Sequence, residues 1–183
     1  GNFRYPVDVG CSPQYYPTDQ NHNKYRTTGG AAIQLNVSME IIVNGAIRMD
    51  ASNGRDCTSN CQYAPAGASG GSVFLHVGKL SGYGIISANG GEGGRSKYYG
   101  QASADGGGGR IAIIGMVNHF LGAVQAYGGY NAAREVSRTM WDREDYRASG
   151  GAGTIYEEWG KNVTRLTLDK RGVHAITRSV VTL

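Results

Sequence analysis

The sequence predicts an all-β solenoid, a stack of similar turns of chain, and three observations point to it. A unit of two short apolar strands recurs four times. The spacing inside the unit is almost constant. Glycine supplies 30 of the 183 residues, about twice the usual share, and it gathers at the ends of the units, where the chain has to change direction.

The template is the stretch 70–91, GGSVFLHVGKLSGYGIISANGG. A glycine pair opens it. Val73, Leu75 and Val77 then alternate with Phe74 and His76, the period-two pattern of a strand with one buried face. A break at 78–82 leads to a second strand ending Ile86-Ser87-Ala88, and a glycine-rich exit follows. The other copies align on it. Val73 matches Ile33, Ile111 and Gly153; Leu75 matches Leu35, Ile113 and Ile155. On the second strand Ile86 matches Ile47, Val124 and Leu166, and Ala88 matches Met49, Ala126 and Leu168. First strand to second is 14, 13, 13 and 13 residues, while successive copies stand 40, 38 and 42 apart. A constant coil with insertions collected on one side is the signature of stacked repeats. Leu35, Leu75, Ile113 and Ile155 are therefore expected to form one internal column.

The chain reads as a single domain. Residues 1–28 look like the end of an upstream coil and its loop, because Val7-Asp8-Val9 resembles Met49-Asp50-Ala51. Repeats cover 29–69, 70–107, 108–149 and 150–172, and 173–183 is a terminal strand or cap. The exit loops, 53–69, 91–107 and 130–149, differ from one another, and the third has a short helix expected at 132–140. A chain that opens on Gly1 rather than Met reads as a processed protein or as a piece of a longer one.

Charge and composition narrow the partners. The formal charge is +4 and the pI about 9.0, with the basic residues scattered. That is a solvated surface rather than a nucleic-acid footprint. No apolar run approaches the ~20 residues that a spanning helix needs. Three cysteines, Cys11, Cys57 and Cys61, accompany two glycosylation sequons at Asn36 and Asn162. Together they favour an extracellular or cell-surface setting. Cys57 and Cys61 are spaced for a small disulfide loop; alternatively Cys11 and Cys57, in successive exit loops, pair with each other. Either way one thiol is left over, available to a second chain.

The glycine-strand motifs Gly70-Gly71-Ser72-Val73-Phe74-Leu75, Ile86-Ser87-Ala88-Asn89-Gly90-Gly91, Gly107-Gly108-Gly109-Arg110-Ile111-Ala112-Ile113 and Gly150-Gly151-Ala152-Gly153-Thr154-Ile155-Tyr156 resemble a known family. They are similar to the glycine-rich, pectin-lyase-like β-helix repeats of large extracellular proteins of protists, invertebrates and bacteria. The likeness covers about 29–172. It implies a right-handed parallel β-helix of about four to five coils with long loops on one side, and a structural or adhesive role.

Catalytic signals are weak. Asp50, Asn89, Tyr127 and Asp169 share one ladder position, which reads as a stacked turn rather than a carboxylate cluster. Asp142-Arg143-Glu144-Asp145 alternates in sign and fits no calcium loop, so Ca²⁺ remains a minor candidate and no cofactor is assigned. The histidines have no zinc spacing with the cysteines. Nothing like G-x-S-x-G occurs, and the glycine runs lack the Lys-Ser/Thr of a phosphate loop. No catalytic residue is therefore named. Tyr15, Tyr16, Tyr98, Tyr99, Tyr130 and Tyr146 lie in loops and are candidates for contact with proteins or glycans. The expected function is an extracellular structural or adhesive module, a head-to-tail subunit of a surface filament or matrix. Its partners would be copies of itself, other extracellular proteins or glycans, with no nucleic acid and no membrane insertion. The rival is a polysaccharide-binding or polysaccharide-degrading protein on the same fold.

Overall fold

The computed structural model describes residues 2–13, 26–57, 64–96, 103–130, 149–160, 163–169 and 179–182. Nine strands lie among them: β1 (Ala32–Ile42), β2 (Ala46–Arg48), β3 (Ser72–Gly82), β4 (Ile85–Ser87), β5 (Arg110–Phe120), β6 (Ala123–Gln125), β7 (Gly153–Trp159), β8 (Val163–Asp169) and β9 (Ser179–Thr182). They form a six-stranded sheet in the order β1-β3-β5-β7-β8-β9 and a three-stranded sheet, β2-β4-β6.

Three units follow the repeat. β1, β3 and β5 pair in parallel, as do β2, β4 and β6. Like residues therefore stack on like: Ile33 on Val73 on Ile111, Leu35 on Leu75 on Ile113, Ile47 on Ile86 on Val124. Val73, Leu75, Val77, Leu80, Ile86, Ile111 and Ile113 are buried between the two sheets and form one core with Ile155. Branched side chains suit this position because they pack on a pleated surface with little rotamer freedom to lose.

The fourth unit breaks the pattern and overturns the closed, right-handed parallel β-helix of four to five coils. β7 still lies parallel on β5, but β8 folds back antiparallel on β7, and β9 antiparallel on β8. The result is a mixed sheet beside a short parallel one, not a closed solenoid. Leu166 and Leu168, expected on the second sheet, pair with Tyr156 and Thr154 instead. The register also slips by two residues. Ile155, not Gly153, stacks on Ile111, and Glu157 takes the place beside Ile113. The expected column Leu35–Leu75–Ile113–Ile155 therefore ends at Ile113. The local cause lies at the end of β7. Trp159 stands opposite Gly115, where any Cβ would collide with the indole, and Gly160 follows at φ 61°. A left-handed glycine after the last strand residue turns the chain back at little cost.

The exit segments are not irregular loops. Their described parts form a packed array with a three-residue period. Ala51, Gly54 and Cys57 donate their N–H groups to the carbonyls of Asn89, Glu92 and Arg95. Gly91 and Gly94 donate to Ala68 and Pro65; Ser103, Gly106 and Gly109 donate to Gly94, Gly91 and Ala88. In 67–71 each side of the segment has its own neighbour. Gly67 and Gly70 reach Ala104 and Gly107, Ala68 and Gly71 reach Ser52 and Met49, and Ser69 reaches Cys11. Three residues per turn with hydrogen bonds directed only outward is polyproline II geometry. Among the described glycines only Gly82 and Gly160 have positive φ, so most of the glycines serve close approach rather than corners. A Cβ on Gly70 would overlap the Ala88 carbonyl, and one on Gly106 the Ala68 carbonyl. The terminal run 173–183 does contain a strand, β9, while the helix expected at 132–140 lies outside the described residues.

Three substitutions check this fold by urea denaturation. Leu75→Ala, which removes a fully buried column residue, is expected to cost about 2–5 kcal/mol. Gly106→Ala is expected to cost more than the ~1–3 kcal/mol of ordinary overpacking, since backbone rather than a side chain must yield. Gly45→Ala, where an added Cβ meets nothing, is expected to be neutral or to stabilise by up to about 1 kcal/mol.

Candidate functional site

The polar ladder is used to bind the next turn of chain. Asp50, Asn53 and Asp56, three residues apart, accept the backbone N–H groups of Asn89 (2.7 Å), Glu92 (2.9 Å) and Arg95 (2.8 Å). Each acceptor stands 39 residues before its donor, so one short Asx side chain per threefold turn locks one unit to the next. Asn89 repeats the contact on Tyr127 N–H at 3.1 Å. The second Asp50 oxygen takes the buried Ser87 hydroxyl at 2.9 Å and Arg48 at 3.3 Å. Asp169 belongs to β8, and its carboxylate accepts the Ala126 N–H at 3.0 Å. Asp50 and Asn89 thus stack as expected, while Asp169 reaches the same ladder from the folded-back strand.

A second cluster lies on the outward face of the large sheet. Phe74, Ala112 and Tyr156 are buried there beneath the N-terminal segment. Residues 2–10, expected to be the end of an upstream coil, are laid across this face. Phe3 packs edge-on to Tyr156 and Tyr5 tilts against Phe74. Arg4 forks onto both Glu158 oxygens at 2.8 and 3.1 Å, Arg110 pairs with Asp8 at 2.9 Å, and the Ser72 hydroxyl donates to the Asp8 carbonyl. Two aromatic anchors and two ion pairs in nine residues hold the strap by side chains. Burial, and then the hydrogen bond to Glu158, push the Tyr156 phenol above its ordinary range. The Tyr156 phenol, then Glu158 and Tyr5, push Arg4 above its ordinary range.

The remaining candidates are dispersed. Asn36 is exposed on β1, where a glycan has room. Cys57 is buried in a disulfide and Cys11 is an exposed free thiol, so the Cys11–Cys57 pairing is not made. Tyr130 is half-buried and has a partner. Tyr15, Tyr16, Tyr98, Tyr99, Tyr146, Asn162, Cys61 and the 142–145 charge cluster lie outside the described residues. Among the described residues no three His, Cys, Asp or Glu side chains converge to hold a metal ion. Sequence reasoning missed the strap; its signal was the Phe3–Tyr5 alternation, which matches the outward Phe74 and Tyr156 in chemistry.

Two measurements follow from these contacts. Asp50→Ala leaves the buried Ser87 hydroxyl and the Asn89 N–H without acceptors, and is expected to cost about 1–3 kcal/mol in denaturant, with Asp50→Asn milder. Because the Tyr156 pKa is raised in the folded state, its contribution is complete below the ordinary tyrosine pKa and is lost as pH rises through the folded value. Stability measured from pH 9 upward, starting just below the ~10 of a free tyrosine, is expected to fall more steeply in the parent than in Tyr156→Phe. The chain matches no protein-family model, no curated protein and no solved structure, and those comparisons leave the resemblance of its glycine-strand repeats where the sequence put it.

Proposed function

We propose that this chain is an extracellular structural or adhesive module, a head-to-tail subunit of a surface filament or matrix. The observation that carries the reading is the open edge of both parallel sheets. β1 is eleven residues long and terminates the large sheet; β2 terminates the small one beside it. Among the described residues neither has a strand partner on its outer side. Ile33, Leu35, Ile41 and Ile47 are consequently only half-buried, although their stacking partners Val73, Leu75, Leu80 and Ile86 are fully buried.

A long, regular edge with a row of unpaired backbone groups is a template for another chain. The opposite edges differ from it: β9 has four residues and β6 has three. A contact between unlike edges is heterologous, and a heterologous contact that does not close propagates into a filament. Net charge of one sign keeps unassembled copies apart until edges meet.

Electron microscopy of the full chain tests this. Filaments are expected for the parent, and particles only for Gln34→Lys/Asn36→Lys, which puts charge on the edge strand while circular dichroism stays unchanged. Dispersed parent particles together with degradation of a polysaccharide would replace this reading by the enzymatic one.

A further inference from the structure

Among the described residues the large sheet ends in β1 on one side and in β9 on the other, and these two edges run the same way at the same level. β1, β3, β5 and β7 are parallel, β8 reverses, and β9 reverses again. The second reversal gives β9 the polarity of β1; an edge formed by β8 would have the opposite one. The register threads the whole sheet. Ala32 lies beside Ser72, Ser72 beside Arg110, Arg110 beside Thr154, Thr154 beside Leu168, and Leu168 beside Ser179. The same path leads from Ile33 to Val180, from Gln34 to Val181 and from Leu35 to Thr182.

The fold-back also keeps the two faces of the sheet apart. Ile155 and Thr167, opposite each other on β7 and β8, are both buried, Ile155 within the core between the sheets. The next pair, Tyr156 and Leu166, belongs to the outward cluster with Phe74 and Ala112. Directly opposite residues share a face, so β8 extends the sheet that begins at β1, with the same side toward the core. At the other edge Ile33 and Leu35 are half-buried, while Val73 and Leu75 beside them are fully buried. The first part of β1 lacks a neighbour on its outer side among the described residues, and β9 stands level with that part.

We propose that β9 of one copy docks in parallel on β1 of the next, with Ser179–Thr182 beside residues 32–35. This rests on the filament reading and names the segment that makes its contact. A head-to-tail contact that keeps the core on one side of the sheet in successive copies needs edges of like polarity, and the double reversal supplies them. Such a contact is heterologous and propagates. The β1 backbone groups that lack a strand partner bond to those of β9, and Ile33 and Leu35 gain the second neighbour that Val73 and Leu75 already have. The short sheet has three strands against six, so it is interrupted once per copy and the large sheet alone runs on. The strands then lie across the filament, and copies repeat every six strands, about 29 Å at ~4.8 Å per strand.

Disulfide trapping tests the register, in full chains whose exposed free thiol, Cys11, is replaced by serine, with circular dichroism as the control for folding. Within one chain Gln34 and Val181 stand at opposite edges of the sheet, about 24 Å apart, so a bond between cysteines placed there joins two copies. Parallel neighbours fall within the ~4.4–6.8 Å Cα separation that a disulfide spans. Gln34→Cys/Val181→Cys is therefore expected to give a ladder of covalent multimers on non-reducing electrophoresis, collapsing to monomer on reduction. Gln34→Cys/Val180→Cys is expected to lose the ladder, since a slip of one residue carries a side chain to the other face. Fibre diffraction from the parent checks the contact without any substitution: a ~4.8 Å spacing along the axis and a repeat of about 29 Å are expected. Filaments that lack this repeat overturn the proposal and leave the filament reading standing. So do filaments in which both cysteine pairs link equally, or in which Gln34→Cys alone links as fully as the 34/181 pair, because β1 then meets β1. A parent that forms no filaments removes the filament reading and this contact together.

Discussion

Everything in this structure depends on how closely one stretch of backbone can approach another. At Gly70, Gly71, Gly91, Gly106 and Gly109 the space that a side chain would fill holds a neighbouring carbonyl oxygen. Collagen meets the same constraint at its axis with a strict glycine repeat. Here the crowding occurs in short runs, and each threefold segment has different neighbours on its different sides. Once the backbones are this close, lateral hydrogen bonds satisfy the peptide groups that a polyproline II segment would otherwise leave to water. The array and the two sheets then share one stacking direction, so an error in either would be felt in both.

The polar side chains follow the same logic. Asp50, Asn53, Asp56 and Asn89 are short, and they reach one peptide group in the adjacent unit. Short side chains lose little entropy in making such a bond. Their spacing of three residues matches the threefold turn of the segment that carries them. This is why a row that looked like a candidate carboxylate site serves cohesion: the acceptors face backbone N–H groups, and the separation between them is set by the backbone repeat.

Cohesion along the stack also leaves surfaces that the fold does not cover. A parallel stack ends in open edges unless the chain folds back over them. Among the described residues the chain folds back at one end, through β7, β8 and β9, and the strap of residues 2–10 covers the outward face of the large sheet. Among the described residues no strand lies on the outer side of β1 or β2. These are the places where a second molecule finds unpaired backbone groups, and the assembly reading arises there.

The sequence by itself determined the strands, their parallel stacking and the internal columns of the first three units. Alternating branched residues at a step of 38–40 have one way to bury a common face, and a shift by one residue would turn them all outward. It also carried a signal that went unread: glycines three apart, as at Gly67 and Gly70, Gly91 and Gly94, and Gly106 and Gly109, announce threefold segments rather than loops. Only the tertiary structure decided the fate of the fourth unit. Gly153–Leu168 carries the same strand–gap–strand pattern as the others, and the pattern fits a hairpin as well as another turn. The choice was made by the indole of Trp159 filling the space above Gly115 and by the left-handed Gly160 beside it. That contact joins residues 44 positions apart, and no local periodicity contains it.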